Sequence, residues 1–66
     1  MSTFHLEIAL VGEAFDPDPG PELARLVRKV ADRAELDPVG SSGAVIDLNG
    51  NRVGTWWVRA EERNDA

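Results

Sequence analysis

Few residues in this 66-residue chain could do chemistry, and their spacing limits each idea. The single histidine, His5, could act as a general base. It falls on the outward side of an alternating strand, where a lone histidine reads as ordinary surface. Ser41 and Ser42 are nucleophile types, but no G-x-S-x-G elbow surrounds them. No Ser–His–Asp site follows from them. Gly40-Ser41-Ser42-Gly43 lacks the lysine of a phosphate cradle and leads into a strand. Asp16-x-Asp18-x-Gly20 offers carboxylates at alternate positions, as calcium loops do. Its intervening prolines and the missing twelfth-position glutamate depart from that pattern. Lys29, the only lysine, lies among arginines on a predicted wet helix face, which reads as ordinary solvated surface. The chain has no cysteine and one histidine, which excludes thiolate zinc and multi-histidine sites. We expect no enzyme, no cofactor and no metal.

Such a length makes one domain, spanning residues 1–66, with an ordered core over about 3–59 and a frayed tail over 60–66. A core of this size supplies only about 3–5 kcal/mol. Disulfides cannot reinforce it, so self-association stays open as a source of stability. No window approaches the roughly 18 apolar residues of a membrane span. Met1-Ser2-Thr3-Phe4-His5 lacks the basic stretch of a signal peptide. The expectation is a soluble, cytoplasmic protein with no membrane contact. The net charge of −5 argues against phosphate backbones and suits solubility or a basic partner.

Four pieces could position these residues. Phe4, Leu6, Ile8 and Leu10 alternate with His5, Glu7, Ala9 and Val11, which predicts a half-buried strand ending at Gly12. Three prolines and a glycine within residues 13–21 set up turns. Asp18 or Gly20 is placed to cap a helix whose first turn accepts proline. From Glu22 to about Leu36, the residues Leu23, Leu26, Val27, Val30, Ala31 and Ala34 form one apolar stripe. Asp37-Pro38 stops it. Residues 44–48 and 51–58 read as strands around Asn49-Gly50, a strong hairpin signal. A right-handed crossover then gives β-α-β-β, an α+β fold with a three-stranded antiparallel sheet in order 1-3-2 and one helix on one face.

A two-residue turn would pair Asp47 with Arg52, Ile46 with Val53, Val45 with Gly54 and Gly43 with Trp56. One hairpin face then carries Ala44, Ile46, Leu48, Val53, Thr55 and Trp57. The other carries Val45, Asp47, Arg52, Gly54, Trp56 and Val58. The opposite charges of Asp47 and Arg52 suggest that the second face is wet. Trp57 is therefore expected in the core, and Trp56 on an open, partly apolar face. Such a patch marks an interface; the alternative is that Trp56 only shields thin backbone at Gly43 and Gly54. Helix segment 22–35 holds four basic against three acidic residues, while the rest of the chain holds three against nine. The candidate partner-binding residues are Trp56, Val58, Val45, Glu7 and Asp47, with Glu13, Asp16 and Asp18 steering a basic partner. Trp56 with Arg52 and His5 could stack bases, but Glu7 and Asp47 beside them would repel phosphates, so direct nucleic-acid binding is not expected.

The alternating first strand, the helix Glu-Leu-Ala-Arg-Leu-Val-Arg-Lys-Val-Ala-Asp-Arg and the hairpin Asp-Leu-Asn-Gly-Asn-Arg-Val-Gly-x-Trp resemble small uncharacterised proteins of bacteriophages and other mobile elements, over most of residues 3–58. That resemblance carries no assigned activity or site. It implies a non-catalytic, anti-CRISPR-like inhibitor that blocks a host defence or nucleic-acid-handling protein by occupying its surface. The rival expectation is a homodimer closed through the open sheet face.

Overall fold

Alternation makes the first strand, β1, which runs over Ser2–Ile8. The computed structural model describes residues 1–36 and 41–60. After β1 come a 3-10 turn at Glu13–Phe15, helix α1 at Gly20–Leu36, strand β2 at Ser42–Ile46 and strand β3 at Arg52–Ala60. The sheet order is β1-β3-β2, and β3 is antiparallel to both neighbours. This is the expected β-α-β-β, α+β architecture. The expected tail beyond Ala60 and the connector around Asp37–Gly40 lie outside the described residues.

Helix α1 begins where Asp18 can serve it. The Asp18 carboxylate accepts the Gly20 amide at 2.9 Å, and Pro21 sits in the first turn, where no amide is needed. The buried residues of the helix are Glu22, Leu26 and Val30. Leu23 and Ala34 are half-buried, whereas Val27 and Ala31 are exposed. The apolar stripe is thus narrower than its spacing suggested. β1 is also shorter than expected. It ends at Ile8, so Leu10 and Val11 are exposed rather than in or beside the sheet. The Pro-rich loop supplies an unexpected core residue, Phe15, which joins Leu26, Val30, Val45 and Trp56 in the buried cluster. The peptide between Asp16 and Pro17 is cis.

The hairpin turn differs from the two-residue form. The Asp47 carbonyl accepts the Gly50 amide at 3.0 Å, and the Asp47 amide donates to the Asn51 carbonyl at 2.8 Å. Gly50 has φ +84°, and no residue other than glycine has positive φ among the described residues. The loop is therefore the three-residue kind, Leu48-Asn49-Gly50, in which only the glycine is left-handed. It shifts the register by one residue, so Ile46 opposes Arg52. A bulge then leaves Val53 without an opposite number and restores Val45 to Gly54, Ala44 to Thr55 and Gly43 to Trp56. Those three pairings agree with the sequence reading.

The buried side of the hairpin is the reverse of the expectation. Trp56 is 2% exposed and Val45 is buried, while Trp57 is half-buried on the side away from the helix. Ile46 and Leu48, expected in the core, are exposed. The error lies in Asp47. It is only 5% exposed, because its Oδ1 accepts the amides of Asn49 and Asn51 at 2.9 and 2.8 Å. A carboxylate satisfied by its own turn needs neither water nor an arginine across the strand.

Candidate functional site

Alternation places Thr3, His5 and Glu7 of β1, Thr55, Trp57 and Arg59 of β3, and Ser42, Ala44 and Ile46 of β2 on the face that carries no helix. The bulge adds Arg52, whose guanidinium donates to Thr55 Oγ1 at 3.0 Å. At the centre, the rings of His5 and Trp57 lie parallel, with centroids 5.0 Å apart and an interplanar angle of 4°. A hydrogen bond of 2.9 Å joins His5 Nε2 to Thr3 Oγ1 and holds the imidazole from its far side. Trp57's other cross-strand neighbour is Ser42, whose small side chain covers little of an indole. The pair is thus a preset aromatic step between two arginines, with Glu7 as the acid on the face.

The residues expected to bind a partner do not assemble there. Trp56, Val45 and Val58 do come together, but beneath α1, with Trp56 and Val45 buried and Val58 packed against the core cluster. Asp47 is spent on the turn. Glu7 alone of that set lies on the open face. Glu13, Asp16 and Asp18 are exposed in the loop whose Phe15 packs under the helix, so they lie on the helix side of the sheet. The residue that sequence reasoning missed as surface is Trp57. The opposition of Gly43 to Trp56 could have revealed it, since a tryptophan facing a glycine across a strand fits tightly against bare backbone.

A second point went unseen in the sequence. Glu22, at 7% exposure, accepts Arg25 Nε at 2.7 Å and Nη2 at 2.8 Å, and also the Leu48 amide at 2.7 Å. One carboxylate thus ties the start of α1 to the hairpin turn. The Arg25 hydrogen bonds hold its pKa below the ordinary 4.5; burial opposes that shift and the Leu48 amide reinforces it. The sign follows. With the folded value depressed, the contribution is complete above the ordinary value of 4.5 and is lost as pH falls through the folded value. Glu22→Gln should therefore melt below wild type at about pH 7, and the gap should narrow in acid. A gap unchanged in acid would show that charge is not what Glu22 contributes.

Among the described residues, no three His, Cys, Asp or Glu side chains gather to hold a metal, and no helix is long and apolar enough to cross a membrane. Compared with protein-family models, curated proteins and solved structures, the chain gives no match in any of the three.

Proposed function

We propose that the protein is a non-catalytic binding module whose helix-free sheet face docks on the surface of another protein. The observation that carries this reading is the stacked His5–Trp57 pair on a face that no element of the described chain covers. A tryptophan held by a neighbour loses little freedom on binding, and such aromatic anchors dominate interface energies. Arg52 and Arg59 add donors at the rim. The net charge of −5 favours a partner with a basic surface at long range. In its most concrete form, suggested by the resemblance to bacteriophage proteins, the module is an anti-CRISPR-like inhibitor acting in the host cytoplasm on defence or nucleic-acid-handling machinery.

Trp57→Ala tests the reading. The substitution leaves the core intact and removes a stack worth about 0.5–1.5 kcal/mol, so the melting temperature should fall only modestly. Affinity capture from host lysate, quantified against wild type, should show a partner lost with Trp57→Ala and kept with Val27→Ala on the exposed helix surface. A partner enriched equally by Trp57→Ala would remove the sheet face from consideration. Capture of nucleic acid in place of protein would change the class of the module.

A further inference from the structure

We infer that Asn49 is a site of spontaneous covalent modification, deamidation through the Gly50 amide, and that the isoaspartate it forms undoes the burial of Asp47. The inference goes beyond the reading of the open sheet face and does not rest on it.

Asparagine is thermally labile because the amide nitrogen of the next residue can attack its side-chain carbonyl carbon. The attack needs an exposed asparagine and an approach that the following side chain does not obstruct. Asn49 and Gly50 are both exposed, and nothing lies within 4 Å of the place where a Cβ of Gly50 would stand. Asn51 is exposed as well, but Arg52 follows it and its side chain hinders the same approach.

The chemistry needs only water. The Gly50 nitrogen gives its proton to hydroxide and bonds to Asn49 Cγ. The side-chain nitrogen takes a proton from water and leaves as ammonia, which closes a succinimide ring. Water then opens the ring. Attack at one carbonyl gives aspartate at position 49. Attack at the other gives isoaspartate, in which the main chain continues through Cβ and Cγ.

The fold slows the first step without preventing it. The Gly50 amide donates to the Asp47 carbonyl at 3.0 Å, so its nitrogen is free to attack only when the loop opens. Exposed loops open locally far more often than the whole chain unfolds.

What the product does follows from Asp47. Its carboxylate is 5% exposed, and Oδ1 accepts the amides of Asn49 and Asn51, one on each side of the reacting bond. Isoaspartate adds an atom to the main chain between those two amides, so both cannot stay within 2.9 Å of one oxygen. A buried carboxylate short of its donors is destabilising. The same loop presents the Leu48 amide to Glu22, so the tie between the turn and α1 loosens with it. Aspartate at position 49 keeps the length of the chain and all of these amides.

The test is to age the full chain in mildly alkaline buffer, folded and in urea, and follow each asparagine by peptide mass spectrometry. An isoaspartyl methyltransferase reports the isoaspartate by methyl transfer. Conversion should appear at Asn49 ahead of Asn51, and faster in urea than in the folded chain. The isoaspartate fraction, separated by chromatography, should melt more than about 4 °C below fresh protein. Aged Asn49→Ser and fresh Asn49→Asp should both melt close to fresh wild type. An Asn49 that converts in urea but stays intact in the folded chain overturns the proposal. So does an isoaspartate fraction that melts with fresh protein. An Asn49→Asp chain that melts as low as that fraction also overturns it, because charge rather than chain length would then disturb the turn.

Discussion

Trp56→Ala is expected to abolish the cooperative thermal transition. Among the described residues, Trp56 is the largest buried side chain, and the buried core cluster it belongs to holds only Phe15, Leu26, Val30 and Val45 besides itself. Phe4 stacks on it with centroids 6.1 Å apart and an interplanar angle of 26°. Removing a buried tryptophan costs about 3–5 kcal/mol, which equals the whole stability a domain of this size can hold. Far-UV circular dichroism on heating should therefore show a sloping baseline in place of a transition. The adjacent Trp57→Ala should keep its transition, because Trp57 is only half-buried and leans on His5. The reverse pattern, with Trp57→Ala collapsed and Trp56→Ala folded, would mean that the helix packs on the other side of the hairpin.

That contrast marks where the sequence stops being readable. Period-two alternation identified Phe4, Leu6 and Ile8 as one face, and period change identified the helix; both rest on side-chain patterns that geometry enforces. Strand order followed from the crossover and from Asn49-Gly50. Turn length was not readable, because Asp-Leu-Asn-Gly-Asn suits a two-residue turn and a three-residue loop alike. The side of burial was lost at one residue. Asp47 and Arg52 look like a solvated ion pair, and only the folded turn shows that Asp47 bonds to the backbone and goes inside. Glu22 misleads in the same way, since its partners Arg25 and Leu48 include a backbone amide 26 positions away. Phe15 was invisible because its burial is set by how the loop folds under α1. For the candidate site, the consequence is that Trp56, expected on the open face, lies in the core, and its neighbour Trp57 takes the open face.

Gly43→Ala carries the second large expected effect, and its sign runs against the usual rule. On an edge strand, exchanging glycine for alanine normally stabilises by about 0.4–1 kcal/mol, through the unfolded chain. Here a Cβ on residue 43 would run into Nε1 of the Trp56 indole, with Cε2 only 2.8 Å away. The indole cannot swing aside, because it is held among Phe4, Val45 and Leu26 in the core. Overpacking of this kind costs about 1–3 kcal/mol, and the melting temperature moves by about 4–8 °C for each kcal/mol in a domain of 60–100 residues. Thermal melts of Gly43→Ala should thus lie well below wild type. Trp56→Phe provides the internal control, since a phenyl ring lacks the nitrogen-bearing edge that the new methyl group meets. Neighbours in contact couple by about 0.5–3 kcal/mol, so Gly43→Ala should cost less on the Trp56→Phe background than on wild type. Additive losses would show that Gly43 is required by its backbone rather than by the ring above it. Coupling would tie the bareness of β2 to the burial of Trp56, and so to the exposure of its neighbour Trp57 on the opposite face.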